Sequence, residues 1–239
     1  MKFGRVVKIR QRQQGHKHTY KMAKQKVETV RELIYWSYAN LAMAHSALDK
    51  GNEKYGMLNY MIRAKLFKGL KDGTMNIKSI FDDEKVKLFT GQICNYCGSS
   101  DKLSLDHIFP QKYVGKDDAE NLIFACKCCN SSKGKKDLME WMIYKEKFLP
   151  LMVIRRYLKL IFNYCFENEL IDKSIEEVKI MDLPFKIDLL PTSFPKPNQL
   201  ILNISSLENN HSDETANQHD PKNLHNHRRE YSHANRTHQ

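Results

Sequence analysis

Apolar residues recur at helical spacing along the first third of the chain. Val30, Ile34, Leu41 and Leu48, filled in by Trp36, Tyr38 and Ala42, predict a helix from about 27 to 50, with Gly51-Asn52 as its stop. Leu58, Ile62, Leu66 and Leu70 fall at intervals of four and predict a second helix from about 55 to 70, ended by Asp72-Gly73. Neither stretch shows a cluster of ligand-type side chains. His45 lies on the apolar stripe of the first and reads as a core histidine. Asp82 or Asp83 predicts the cap of a short helix through Leu88 and Phe89, closed by Thr90-Gly91.

The pattern then changes. Residues 92–136 are dense in Cys, Asp, Asn, Gly and Lys, interrupted by two short apolar runs, Leu103 to Phe109 and Leu122 to Ala125. The first run alternates as far as Leu105, and both are short enough for strands. Asp137 to Phe148 predicts a helix. Pro150 permits a fresh start for another from Leu151 to Leu170, with Val153, Tyr157, Leu160 and Tyr164 on one side. Pro184, Pro191, Pro195 and Pro197 mark the end of regular structure. From about Ser205 the chain is rich in Asn, His and Ser, with too few apolar residues to offset its ordering entropy, and is expected to be disordered. Six of the ten histidines fall in this tail at scattered spacing, which reads as a solvated segment rather than a metal site.

Five segments follow from these changes: a basic arm at 1–27, a helical region at 28–80, a Cys- and Asp-rich unit at 81–149, a helical segment at 150–190, and a Pro-marked linker and tail at 191–239. The formal net charge is +11, from 39 basic and 28 acidic side chains. That excess favours polyanionic partners, because each phosphate contact releases condensed counterions. The first 27 residues hold nine Lys or Arg, His16, His18 and no acid, and read as a solvated arm or one that follows a phosphate backbone. Nothing is long and apolar enough to span a membrane. The N-terminus lacks an apolar stretch and a small-residue cleavage site, which argues for an intracellular, cytoplasmic protein. Its freedom from acids keeps an organellar address open, although it also lacks serine. Six cysteines in such a chain point to metal ligation or buried thiols rather than a disulfide framework.

Cys94-Asn95-Tyr96-Cys97-Gly98 is a CxxC knuckle, and Cys126-Lys127-Cys128-Cys129 supplies a second pair after 28 intervening residues. Zinc takes four soft ligands at tetrahedral corners, and two tight knuckles brought together provide them. Cys126 with Cys128 is a geometric alternative. Cys129 is preferred because it reproduces the first spacing, giving Cys94, Cys97, Cys126 and Cys129 as ligands of a structural zinc. Cys165 lies on a helix and reads as a core residue.

His107 is the one histidine between residues 46 and 210, and it follows Asp106. Hydrolysis of a phosphodiester needs an activated water, a cation on the phosphate oxygens and help for the leaving oxygen. A neutral imidazole takes the proton of water near pH 7, and an oxygen-ligated divalent ion stabilises the charge. Neighbours on a regular strand face opposite ways, so this pair needs a strand end, for which Pro110 is suited.

These residues resemble a family. Leu105-Asp106-His107-Ile108-Phe109-Pro110, then Glu120-Asn121-Leu122-Ile123, then Cys126-x-x-Cys129-Asn130-x-x-Lys133-Gly134 are similar to the HNH nucleases, over about residues 82–140. The resemblance implies an α+β fold: a small ββα-metal core with a zinc knuckle pair, flanked by mainly α-helical segments. It implies His107 as general base and Asp106 as a metal ligand. Asn121 would hold the His107 loop through backbone hydrogen bonds. Asn130 would be the second metal ligand, an HNN variant in which the last His is Asn and Mg²⁺, or Mn²⁺ in its place, is the expected ion. Lys133, Lys135 and Lys136 would lie near the start of the following helix, within reach of phosphates or simply on a solvated face. The expected activity is cleavage of double-stranded DNA leaving a 5′ phosphate. A zinc-stabilised nucleic-acid-binding module without catalysis, or an RNA-processing protein, are the alternatives.

Overall fold

A computed structural model describes residues 26–77, 92–114 and 119–204, apart from the side chain of Val114. The short helix expected near 82–89, most of the basic arm and the tail beyond 204 lie outside the described residues.

Helix α1 spans Val30–Asp49 and α2 spans Met57–Lys71. Thr29 caps α1, its side chain accepting the Glu32 N–H at 3.2 Å. The α1 stripe buries Val30, Ile34, Ala39, Ala44 and Ala47 completely. His45 is half-buried rather than core, beside Tyr38, Leu41, Asp49 and Arg155 along a cavity of about 200 Å³. The apolar burial of α2 lies in its C-terminal half, through Phe67 and Leu70, whereas Leu58, on the expected stripe, is 64 % exposed. Its first turn is held instead by buried Asn59, whose side-chain oxygen accepts the Gly56 N–H at 2.9 Å.

Strand β1 (Leu103–His107) pairs antiparallel with β2 (Leu122–Cys126), Leu103 opposite Cys126 and His107 opposite Leu122. Between them lie α3 (Gln111–Val114), directly after Pro110, and a 3₁₀ turn at Ala119–Asn121. Helix α4 (Lys127–Lys133) leaves β2 at the second cysteine pair, and Cys126 itself caps it. Among the described residues this is a mixed fold: a two-stranded sheet followed by a short helix, set among further helices.

Helix α5 (Leu138–Tyr144) is shorter than expected, starting on the side chain of Asp137 and followed by Glu146 at φ +51°. Helix α6 (Leu151–Glu167) starts after Pro150, and its first amides, which have no partner within the helix, donate to the carbonyls of Ile201 and Leu202 at 2.9 and 3.1 Å. The stretch 191–204, expected as a linker, is therefore packed: Leu200 and Ile204 are buried, and the Pro191 carbonyl accepts from Ser37 Oγ at 2.8 Å. Leu200, Ile201, Leu202 and Ile204 supply enough apolar surface to hold it down. A further helix, α7 (Ile175–Lys179), opens on a Ser174–Glu177 capping box. The carbonyls of Lys173 and Ile171 accept from Val30 and Arg31, and Arg31 grips Asp172 with two bonds of 2.7 and 2.8 Å. Core residues from α1, β2, α5 and α6 join in one cluster, so the small sheet borrows apolar area from helices outside it.

Candidate active site

The first cysteine knuckle is fixed to the edge of β2. Asn95 N–H donates to the Phe124 carbonyl at 2.8 Å, and its side-chain oxygen accepts the Phe124 N–H at 2.9 Å. The knuckle closes with Gly98 N–H on the Cys94 carbonyl at 2.8 Å, Gly98 standing at φ +82°. A Cβ on Gly98 would also lie 2.8 Å from Ile204 Cγ2, so glycine serves both the turn and the close approach.

This arrangement brings Cys94, Cys97, Cys126 and Cys129 together, with their sulfur atoms all within 4.8 Å of one another. Cys97 Sγ and Cys126 Sγ are 3.7 Å apart. Four sulfurs about 2.3 Å from a tetrahedral zinc would be about 3.8 Å from one another. The four thiols are thus positioned to hold zinc, and the second pair uses Cys129, while Cys128 is exposed outside the group. Burial pushes the Cys94 thiol up. Burial also acts upward on Cys126, but hydrogen bonds led by the Cys129 N–H outweigh it and bring that thiol below its ordinary value.

Asp106 and His107 end β1. Asp106 is buried and accepts the Tyr96 hydroxyl at 2.7 Å. Tyr96 is itself buried against Trp141, ring centroids 4.8 Å apart at 69°, and burial followed by the Asp106 charge raises its pKa. Lys133 is fully buried. Its ammonium lies 3.3 and 3.2 Å from the two Asp106 oxygens and donates to the His107 carbonyl at 2.6 Å. Burial lowers the Lys133 pKa while Asp106 works in the opposite direction. Lys133 therefore differs from the expectation of a phosphate-facing side chain. It is the last residue of α4, where its Cβ direction carries it into the sheet. Lys135 and Lys136 are exposed in the turn before α5, which Gly134 makes at φ +52°.

Asn121 is buried at the end of the 3₁₀ turn. Its amide oxygen accepts the Phe109 N–H at 2.7 Å, its amide nitrogen donates to the Phe109 carbonyl at 3.0 Å, and its main-chain carbonyl accepts from Ile108 N–H at 2.8 Å. Asn130, on α4, directs its amide nitrogen to Ser104 Oγ at 3.0 Å and the Leu105 carbonyl at 3.4 Å. Asp106, His107 and Asn130 line one cavity of about 540 Å³, shared with Pro110, Gln111, Lys112, Gly134 and Lys135.

Residues 94–136 match the family model described as HNH endonuclease. The chain contains an HNH domain. The matched segment runs from the first zinc-type cysteine to Lys136 and is narrower than the span of the sequence resemblance. No curated protein and no solved structure gives a significant match to the chain. An HNH domain implies nuclease or nucleic-acid-binding chemistry, and its family is mostly one of nucleases. Among the described residues no helix is long and apolar enough to cross a membrane.

Three contributors to the HNH site carry no readable spacing in the sequence. Asn95 and Tyr96 sit inside the first knuckle, where only the cysteines have a diagnostic interval. Arg156 lies on α6, outside the matched segment, yet its guanidinium reaches the carbonyls of Ala119 and Glu120.

Proposed function

We propose that this protein is a metal-dependent DNA endonuclease that hydrolyses phosphodiester bonds with His107 as general base. The observation that carries the reading is the convergence of Asp106, His107 and Asn130 on one cavity, with Lys112 and Lys135 at its wall. A carboxylate and an amide oxygen form a hard donor pair suited to Mg²⁺ or Mn²⁺. Asn130 fits that task because its nitrogen is committed to Ser104 and Leu105, leaving the amide oxygen for a ligand. Asp106 fits because a carboxylate has about four acceptor sites, more than Tyr96 and Lys133 use. A divalent ion held there would stabilise charge on the phosphate and on the departing 3′ oxygen.

His107 would take the proton of the attacking water as a general base. Asn121 serves this step from a distance by fixing the backbone that follows the histidine. Lys112 and Lys135 would draw the phosphates of double-stranded DNA into the cavity, with Lys136 beside them. The four-cysteine zinc is structural in this reading, holding α4 and Asn130 against the end of β1.

One observation favours the non-catalytic alternative, a zinc-stabilised nucleic-acid-binding module. Asp106 already has an ammonium partner, which opposes a second cation. Cleavage of supercoiled plasmid with Mg²⁺, Mn²⁺ or EDTA, run beside His107→Ala and a parallel RNA substrate, decides between them. Metal-dependent nicking or linearisation of DNA that His107→Ala abolishes is the expected result. Binding without cleavage under every metal favours the module, and cleavage confined to RNA replaces the substrate.

A further inference from the structure

Arg156 is a buried arginine that the proposed chemistry does not use. It lies on α6, 1 % exposed, and points at a turn of the HNH domain. Its Nε donates to the Glu120 carbonyl and its Nη2 to the Ala119 carbonyl, both at 2.6 Å. Taking a guanidinium out of water is costly unless charge-assisted hydrogen bonds compensate it. Two successive carbonyls matched to the rigid fork are such a compensation, and lysine cannot reproduce it.

The turn so gripped ends in Asn121, whose side chain and carbonyl hold Phe109 and Ile108. Ile108 is the residue after His107. Two sets of hydrogen bonds, joined by the covalent turn 119–121, therefore link α6 to the two residues that follow β1. The next residue of α6 reinforces this link. Tyr157 packs its ring edge-on against Phe109, centroids 5.8 Å apart at 87°, while its hydroxyl bonds to Asp137, the cap of α5. Arg156 thus contacts the 119–121 turn and Tyr157 contacts Phe109, two residues beyond His107.

We propose that Arg156 is a positioning residue for His107, setting the place of the general base through the 119–121 turn. The proposal rests on the nuclease reading for its effect on turnover, but not for its effect on the backbone. It gives α6 a function: Lys133 and Asn121 hold the histidine strand end from within the HNH domain, and Arg156 adds a restraint from outside it. Misplacement of a reacting group by about 1 Å costs up to about a hundredfold in rate, so a small relaxation of the turn is enough.

The test compares Arg156→Met, Arg156→Lys and Ile161→Ala in the full chain. Ile161 is a fully buried residue of the same helix, and its truncation controls for lost stability. Amide exchange at Ile108 and Phe109 is measured with plasmid cleavage at saturating and limiting DNA. Arg156→Met is expected to deprotect those two amides selectively and to lower kcat about 10- to 100-fold with KM little changed, Arg156→Lys falling between. Ile161→Ala is expected to lower Tm with kcat kept. Unchanged protection at Phe109 in Arg156→Met overturns the proposal, as does an equal loss of kcat in Ile161→Ala. If the wild type does not cut, the nuclease reading falls, and exchange at Ile108 and Phe109 alone decides the linkage.

Discussion

The ammonium of Lys133 lies 2.6 Å from the main-chain oxygen of His107 and 3.2 Å from the Asp106 carboxylate. One buried cation thereby ties the last turn of α4 to the last two residues of β1. The pair is enclosed, so its mutual attraction is poorly screened, and each charge depends on the other for compensation. Tyr96 completes the set from the cysteine knuckle. The zinc-type site and the proposed catalytic residues are consequently neighbours in one polar network.

Lys133→Met would leave the Asp106 carboxylate buried beside an apolar chain. The expected loss is about 3–5 kcal/mol of folding free energy, the range for breaking one side of a buried pair. Urea unfolding followed by tryptophan fluorescence measures it, since Trp141 packs on Tyr96. A loss below about 0.5 kcal/mol, typical of surface substitutions, would show that Lys133 is solvated in solution.

Much of this site is legible as residue order, and little of it as contact. The cysteine intervals point to four ligands, and the structure groups Cys129 with them rather than Cys128. Asp106, His107, Asn121 and Asn130 are legible because each motif holds them at a fixed distance from the knuckles or the strands. Lys133 reads like Lys135 and Lys136 because lysine is almost always solvated; only its position at the end of α4 turns it inward. Arg156 is hidden for the same reason, on a helix whose apolar stripe points to Tyr157 instead. The helices at 30–49, 57–71 and 151–167 follow from periodicity. The packing of 191–204 does not, because proline reads as a break while Leu200, Leu202 and Ile204 act only through residues far away in sequence.

Asn121→Ala would remove the acceptor for Phe109 N–H and the donor to its carbonyl. Burying those groups unpaired costs about 1–3 kcal/mol each at most, and the two losses share one loop. The expected outcome is a fall in Tm together with loss of cleavage at unchanged DNA affinity. Wild-type cleavage by Asn121→Ala would separate the hydrogen bonds from the chemistry.

Glu32 joins α1 to α2 through Lys71, Oε1 to Nζ at 2.6 Å. The Lys71 hydrogen bond, and then the Glu28 N–H, hold the Glu32 carboxyl below its ordinary range. A lowered folded pKa contributes stability above the unfolded value, about 4.3, and loses it as pH falls through the folded value. The pair is partly solvated, so screening limits its worth to about 0.2–1 kcal/mol. Stability measured from pH 6 to pH 3 should converge for wild type and Glu32→Gln as the acid limb is descended, with the wild type ahead only at the upper end. Parallel curves across that range would remove the Glu32 contribution.

The cysteines should differ in reactivity in an order set by their surroundings. Cys128 is exposed and outside the sulfur group, whereas Cys165 is fully buried with its thiol pushed up to about 12 by burial. Alkylation depends on thiolate and access, so Cys165 should react only on unfolding. In zinc-loaded protein Cys128 should be alkylated first. Cys94, Cys97, Cys126 and Cys129 should react only after chelation, because a ligating thiolate is withheld from the reagent. Peptide mass spectrometry after a timed iodoacetamide pulse, with and without chelator, reads all six. Protection of Cys128 with early labelling of Cys129 would exchange those two in the ligand set. Early labelling of all of Cys94, Cys97, Cys126 and Cys129 at full zinc content would place the metal elsewhere.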